Sequence, residues 1–280
     1  MELFDEIKEK MIETNGLKLH TVMIGEGSPL VLLHGFPDFW YGWKSVITGL
    51  KKHYKLIIPD MRGYNLSDKP EGVENYKIEP LIEDIKGLIE TLKLGKVFLA
   101  GHDWGGIVAW AFAEKYPELL QKLAILNAPH MKIFQQKLRI DKKQQEASYY
   151  VFEFLKPDGE KFLFENDRKW LKFALFEGMI NKNNFTEFDK EQYLSAWTQP
   201  AILGGVNYYR ANTSFKDWTG KITVPTLVIH GMKDVAVLSS VLEGLSDYVS
   251  DLKIVRAENS SHWVMHDQPE LVISSFKEFF

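Results

Sequence analysis

The stretch VFLAGHDWGGIVAWAFAEKYP, from Val97 to Pro117, decides how the rest of the chain is interpreted. An apolar run typical of a buried strand leads into Gly101, and an apolar pattern typical of a helix begins after two further glycines. A tight turn from strand to helix needs small residues on both sides of its apex, because the backbone there is strained. Many enzymes place a serine at this apex. Here the apex residue is Asp103.

Asp103 has two interpretations. An aspartate just before a helix commonly caps the helix and does nothing more. Flanked by glycines, however, it is a candidate nucleophile, since a carboxylate is ionised at neutral pH and needs no base to activate it. It can displace a leaving group from a saturated carbon and form an alkyl ester, which water must then hydrolyse. That second step predicts a histidine base, an acid that orients the histidine, and an oxyanion hole.

Candidates for these partners follow other predicted strands. Asp234 lies in HGMKD after the run VPTLVIHG, and His262 lies in ENSSHW after the run LKIVRAEN. The order nucleophile, acid, histidine is one of the known orders of such triads. His266 is the nearest rival, but Pro269 behind it suits the first turn of a closing helix, so a packing or capping role is expected there. All three chosen residues fall at strand carboxyl ends, where open α/β sheets bind ligands.

The loop His34-Gly35-Phe36-Pro37 follows the first long apolar run. In this arrangement a backbone N–H of that loop and the N–H of the residue after the nucleophile form the oxyanion hole. We therefore expect the N–H groups of Phe36 and Trp104 to serve it. The alternative for this loop, taken by itself, is an ordinary turn.

Short apolar runs alternate with helix-like segments along the chain, and this alternation predicts an α/β fold with a mostly parallel sheet and helices on both faces. The pair within Met11–Gly25 has Asn-Gly at its centre and predicts a leading hairpin. The alternation stops between His130 and Trp218, where the chain is helix-rich and aromatic. We predict a helical cap (lid) domain at 130–218 and a core domain made of 1–129 and 219–280. The runs predicted to be buried strands are Ser28–Gly35, Tyr54–Asp60, Lys96–Asp103, Lys122–Pro129, Val224–Gly231 and Leu252–Asn259.

Composition limits the remaining function classes. The 280 residues include 38 acidic and 34 basic side chains, for a net charge of −4, which argues against a nucleic-acid or anionic-membrane partner. The absence of cysteine excludes disulfides, thiolate metal sites and a cysteine nucleophile. The charged start MELFDEIKEK is unlike a signal peptide. We expect a cytoplasmic protein, monomeric or homodimeric, that uses neither a metal nor a cofactor.

The chain resembles the epoxide hydrolases of the α/β-hydrolase fold. The segments HGFPDFWYGW, DMRGYNLSDKP and GHDWGG, with the pair Asp234 and His262, carry the resemblance over nearly the whole chain. It implies an enzyme that converts a small apolar epoxide and water into a vicinal diol. It also implies two cap tyrosines that hold and protonate the epoxide oxygen, placed at Tyr150 by YYVFEFLKP and at Tyr209 by NYYR.

Two other functions stay open at this point. Haloalkane and haloacetate dehalogenases share the aspartate turn, although they commonly supply an asparagine where this chain has Phe36. A protein of the same fold could also bind a ligand without turning it over. Tyr149 and Tyr208 are the neighbours most easily confused with the two tyrosines. The pocket is expected to be apolar and lined by Phe36, Pro37, Trp40, Trp104, Phe152 and Trp263.

Overall fold

The computed structural model describes residues 6–183 and 185–280. In this part of the chain the strands form one sheet in the order β1-β2-β4-β3-β5-β6-β7-β8. The pairs β1–β2 and β2–β4 are antiparallel, and the other neighbours run parallel. The strands are β1 (Lys8–Thr14), β2 (Leu17–Ile24), β3 (Ser28–Leu33), β4 (Tyr54–Pro59), β5 (Val97–His102), β6 (Leu120–Leu126), β7 (Thr226–Gly231) and β8 (Leu252–Ala257).

The leading hairpin is confirmed. β1 pairs with β2 from Lys8↔Met23 to Thr14↔Leu17, and only Asn15 and Gly16 connect them. Both turn residues have positive φ, 47° and 75°, which a two-residue type I′ turn requires at both central positions.

Helices of the core segments cover the sheet. The core helices are α1 (Lys44–Leu50), α2 (Ile78–Thr91), α3 (Trp104–Lys115) and, after the cap segment, α10 (Val264–Asp267) and α11 (Pro269–Phe279). α1 packs against α11, and α2 packs against α3. From β3 the chain crosses through α1 to β4, and then through α2 to β5 on the other side of β3. Right-handed crossovers in opposite directions place α1 and α2 on opposite faces, as the sequence predicted.

This reversal of strand order decides where a ligand can bind. A crevice opens outside the carboxyl ends of β3 and β5, where neighbouring connections leave in opposite directions. Every residue of β5 is buried, and so is α3 from Trp104 to Ala113. Because α3 is apolar on all sides, it is held as a central element rather than as a surface helix.

The segment between β6 and β7 is helical, as the broken alternation predicted. Its helices are α4 (Met131–Ile140), α5 (Lys142–Ala147), α6 (Tyr149–Phe154), α7 (Glu165–Lys172), α8 (Glu187–Ala196) and α9 (Gln199–Ala211). In α7 the backbone is left-handed from Asn166 to Arg168, and a π-helical turn follows at Phe173–Glu177. The division into a core domain (1–129 and 219–280) and a cap domain (130–218) stays a prediction.

Short 3-10 turns complete the described elements. They are Trp40–Trp43, Val73–Tyr76, Pro117–Leu119, Lys161–Phe164, Ser239–Leu242 and Leu245–Asp247. Within residues 6–183 and 185–280, none of the helices combines the length and the apolarity that a bilayer crossing requires.

Candidate active site

The turn that carries Asp103 is strained in the way its glycines indicate. Asp103 has φ 51° and ψ −122°, and α3 begins at the next residue, Trp104. A side chain at Gly101 would overlap with the backbone carbonyl of Gly105. Only glycine lets the strand end and the helix start approach so closely. The result is a carboxylate projected from the end of β5 into the crevice.

The loop after β3 lies directly on this carboxylate. The backbone N–H of Phe36 donates a hydrogen bond of 2.7 Å to Oδ1 of Asp103. A Cβ atom added at Gly35 would overlap with the same Oδ1. The Phe36 N–H is therefore already aimed at the oxygen that would become the carbonyl oxygen of an ester. Trp104, the other predicted donor residue, is the first residue of α3 and so adjoins the carboxylate in the chain.

The predicted acid and histidine meet Asp103 in space. Nδ1 of His262 lies 2.7 Å from Oδ2 of Asp234, and its Nε2 lies 3.6 Å from Oδ2 of Asp103. The other oxygen of Asp234 accepts hydrogen bonds from the N–H groups of Ala236 and Val237, at 2.8 and 2.9 Å. Both carboxylate oxygens of Asp234 are thus fixed, and the imidazole is oriented with Nε2 toward Asp103.

Charge coupling within this triad sets its protonation. Burial lowers the pKa of His262, but the nearby Asp234 and Asp103 carboxylates outweigh burial and raise it above its ordinary value. Burial raises the pKa of Asp103, yet the charge of the nearby His262 imidazole brings it below its ordinary value. The pKa of Asp234 is also lowered, because the His262 charge outweighs burial. Asp103 is therefore ionised in the free protein, as nucleophilic attack requires.

Two supporting residues were not expected from the sequence. Asn127, with a left-handed φ of 43°, donates from Nδ2 to Oδ2 of Asp234 at 2.8 Å and accepts from the N–H of Gly231 at 3.2 Å. His102 lies with Nε2 2.9 Å from the backbone carbonyl of His262. The signal available for Asn127 was its place directly after β6, at the sheet edge where Asp234 also lies.

The cap brings Tyr150 and Tyr209 to the same crevice. Tyr150 lies on α6 and Tyr209 on α9, and their rings pack edge to face with centroids 6.1 Å apart. Burial, with the nearby charge of Asp103, raises the pKa of Tyr150. Burial also raises the pKa of Tyr209 well above its ordinary value. Both phenols are therefore neutral proton donors at physiological pH.

Their neighbours in sequence have different surroundings. Tyr149 also borders the crevice but is 60% exposed, whereas Tyr208 is fully buried and donates its hydroxyl to the backbone carbonyl of Arg62 at 2.8 Å. The choice of Tyr150 and Tyr209 over these neighbours stays a prediction.

Two apolar cavities meet at Asp103, Tyr150 and Tyr209, which line both. The smaller cavity, of about 230 Å³, is also lined by Trp104 and Phe152. The larger cavity, of about 600 Å³, is also lined by Phe36, Pro37, His262 and Trp263. The nucleophile therefore faces an apolar space on two sides.

Trp40 is a correction to the expected pocket lining. It is absent from the residues lining these two cavities, and it is 5% exposed. Its ring packs edge to face against Phe39 and Tyr41, and its backbone N–H donates to Oδ1 of Asp60 at 3.0 Å. The 3-10 turn that begins at Trp40 directs the ring into the core. Among the described residues, no group of three His, Asp or Glu side chains is arranged to hold a metal ion.

Comparisons with known proteins agree with this geometry. Residues 28–269 match the family described as alpha/beta hydrolase fold. AB hydrolase superfamily protein YfhM of Bacillus subtilis (strain 168) is 38% identical over 283 residues, covering 98% of both proteins. Epoxide hydrolase 4 of Homo sapiens is 38% identical over 272 residues, covering 93% of this chain and 75% of that protein. The crystal structure of a Bacillus megaterium epoxide hydrolase with an inhibitor superimposes with a TM-score of 0.91 at 32% identity, covering 96% of this chain and 99% of that one.

Proposed function

The chain belongs to the α/β-hydrolase fold family, and from that premise we propose that it hydrolyses epoxides to vicinal diols. One observation carries the proposal: an ionised carboxylate, Asp103, and two neutral phenols, Tyr150 and Tyr209, converge where two apolar cavities meet. The relatives and structural neighbours named above as epoxide hydrolases support the same reaction.

In the first step Oδ2 of Asp103 attacks one carbon of the oxirane ring. The ring C–O bond breaks, and the released oxygen takes a proton from Tyr150 or Tyr209. The products are an alkyl ester on Asp103 and one tyrosinate. Two donors at one oxygen suit this step because the alkoxide is strongly basic and the site is apolar.

In the second step His262 takes a proton from water, and the water oxygen attacks the carbonyl carbon of the ester. Oδ1 becomes an oxyanion that the N–H groups of Phe36 and Trp104 stabilise. Collapse of this intermediate breaks the bond to the substrate. The two protons of the water end on the leaving alkoxide and on the tyrosinate, so the diol leaves and Asp103 is again a carboxylate.

Loss of the Asp103 charge in the ester connects the two steps. In the free protein that charge helps to raise the pKa of His262. Once the ester has formed, the Asp103 charge no longer raises the pKa of His262, and His262 more readily becomes the neutral base. The histidine is therefore activated when its substrate, the ester, is present.

A halide-releasing reaction is the rival with the same nucleophile. A halide needs N–H donors and no proton, whereas this site presents two hydroxyls. Trp104, whose indole N–H a halide could use, packs edge to face against the ring of Tyr209, with centroids 5.1 Å apart. This arrangement supports the epoxide as substrate.

The test compares diol and halide release. Aryl and alkyl oxiranes and size-matched chloroalkanes are incubated with the protein and with its Asp103→Ala variant. We expect diol from the oxiranes, no chloride from the chloroalkanes, and neither product from the variant. Chloride without diol would reverse the assignment, and substrate binding without any product would indicate a binding protein.

A single turnover in heavy-oxygen water tests the ester. We expect the isotope in the Asp103 carboxylate after one turnover, because water attacks the ester carbonyl carbon. Isotope found directly in the diol, with none in the protein, would contradict the two-step scheme.

A further inference from the structure

Two residues of the cap form hydrogen bonds with the loop that presents the Phe36 N–H. The indole Nε1 of Trp197 donates to the backbone carbonyl of Pro37 at 2.6 Å. The hydroxyl of Tyr193 donates to Oδ1 of Asp38 at 2.8 Å. Trp197 and Tyr193 both belong to the cap segment, Tyr193 on α8 and Trp197 at its C-terminal end. The two residues that follow Phe36 are thus each hydrogen-bonded to the same cap helix.

Both contacts are shielded from water. Tyr193, Trp197 and Asp38 are 0%, 3% and 2% exposed. Water therefore cannot replace either hydrogen bond if it is lost, and the carbonyl of Pro37 would be left without its donor. Such an unsatisfied buried acceptor is costly, so the loop would shift to find another partner.

The loop is short and tightly closed, so a shift at Pro37 reaches Phe36. The N–H of Asp38 donates back to the carbonyl of Gly35 at 3.0 Å, which closes the turn around Phe36 and Pro37. Oδ1 of Asp38 also accepts from the N–H of Phe39 at 2.8 Å. Within this closed turn, the direction of the Phe36 N–H depends on where Pro37 and Asp38 are held.

The same cap segment leads into the helix of a proposed proton donor. Trp197 directly follows α8, and α9, which carries Tyr209, begins at Gln199. The residues that hold the loop and the helix that carries Tyr209 therefore lie in one continuous segment of the chain.

We infer that Trp197 and Tyr193 are positioning residues that aim the Phe36 N–H at the ester oxygen. The inference rests on the proposed function, and it assigns these cap residues to hydrolysis of the ester and not to ring opening. An oxyanion donor serves the step in which negative charge develops on the carbonyl oxygen. In ring opening the charge on Asp103 decreases, so a misdirected donor costs that step much less.

Tyr41 provides a matched control. Its hydroxyl donates to Oδ1 of Asp189 at 2.6 Å, near the start of α8, and Asp189 also pairs with Lys44. This is a buried hydrogen bond between the core and the same cap helix, but at the end away from the Phe36 loop. Tyr41→Phe removes a comparable contact without touching Pro37 or Asp38.

The experiment measures the two steps separately in the full-length protein. Trp197→Phe, Tyr193→Phe and Tyr41→Phe are mixed with excess styrene oxide, quenched at intervals, and analysed for ester by intact mass and for diol by chromatography. Complete loss of one oxyanion donor costs about 10²- to 10³-fold, so a misdirected one should cost about tenfold. We expect that slowing of hydrolysis in Trp197→Phe and Tyr193→Phe, with ring opening nearly unchanged and ester accumulating. Tyr41→Phe should match the wild type in both steps.

Three results would be decisive against the inference. They are an unchanged hydrolysis rate in Trp197→Phe and Tyr193→Phe, an equal slowing of both steps, or the same change in Tyr41→Phe. Thermal melting reports folding, and Tyr193→Phe, which loses only one oxygen, serves if Trp197→Phe is unstable. If the wild type forms neither ester nor diol, the proposed function fails instead, and the two failures are therefore distinguishable.

Discussion

His262 is held beside Asp103 by hydrogen bonds, whereas Tyr150 and Tyr209 are held there mainly by packed rings. His262 bonds to Asp234, which in turn accepts from Asn127 and two backbone N–H groups. Tyr209 instead packs its ring against Phe154, with centroids 4.9 Å apart, and against other aromatic rings of the crevice. Hydrogen bonds fix an angle, which the transfer of a proton from water requires, while packing fixes mainly a position. The two steps of the proposed reaction are thus supported by different kinds of interaction.

The largest effect on a rate is expected from replacing His262, which hydrogen bonds hold in place. His262→Gln removes the base, so hydrolysis should fall by about 10⁴-fold, the upper end of the range for general-base catalysis. Ring opening needs no base and should continue until one equivalent of epoxide is bound to Asp103. Intact mass spectrometry detects this adduct, and exposed His53→Gln is the control. If no adduct can be trapped, His262 does not act in a separate second step.

Loss of the two phenol hydroxyls, whose rings are held by packing, should slow ring opening instead of hydrolysis. Tyr150→Phe/Tyr209→Phe keeps both rings but removes both proton donors, so ring opening should fall by about 10³-fold. Each single variant should lose less, because one phenol remains. Rapid-quench measurement of ester formation checks this, with the exposed Tyr149→Phe as a control. Normal ring opening in the double variant would show that these phenols are not the proton donors.

Acid should separate the two steps in the unmodified protein. His262 acts as a base only when neutral, so hydrolysis should slow as the pH falls through the pKa that His262 has in the ester, by about tenfold per unit. Asp103 has a lowered pKa and stays ionised to lower pH, so ring opening should persist. Ester should therefore accumulate in mild acid and disappear at higher pH. Rates of both steps from pH 5 to 9 test this, and a parallel decline of both would contradict it.

The smallest effect concerns a polar contact between the two helices that carry Tyr150 and Tyr209. Arg210 donates to the carbonyl of Phe154 at 2.9 Å and pairs with Glu160 at 2.6 Å, which connects α9 to the end of α6. Arg210→Met should slow ring opening about fivefold by loosening the two tyrosine helices, and leave hydrolysis unchanged. Lys190→Met, which removes the exposed pair with Glu187, is the matched control. A change in the rate of hydrolysis alone would show that contacts around the two tyrosines also affect the second step.

The strands and the triad were readable from the sequence for a physical reason. Asp103, Asp234 and His262 each come directly after a buried apolar run, and parallel strands bring such ends to one edge. The strand limits differ in places from those expected, since β6 starts at Leu120 and not at Lys122. Motifs that lie within short stretches of chain can therefore be identified without knowledge of the fold.

The rest depends on side-chain direction, which sequence spacing leaves open. Asn127 bonds to Asp234 only because β6 and β7 are neighbours and because its backbone is left-handed. Trp40 follows the HGFP loop closely, yet its 3-10 turn takes the ring away from the cavities. Tyr150 and Tyr209 were placed by resemblance, since adjacent residues on a helix differ by about 100° in direction and no pattern selects between them.

The bare backbone at Gly35 has a consequence for how related chains are interpreted. One added methyl group there would collide with the attacking carboxylate while every acid, base and phenol of the centre remained in the sequence. Through a single small substitution outside the reacting groups, a homologue could thus come to bind its former substrate without converting it. Ranking such chains by their reactive side chains alone would miss this change, whereas checking position 35 would reveal it.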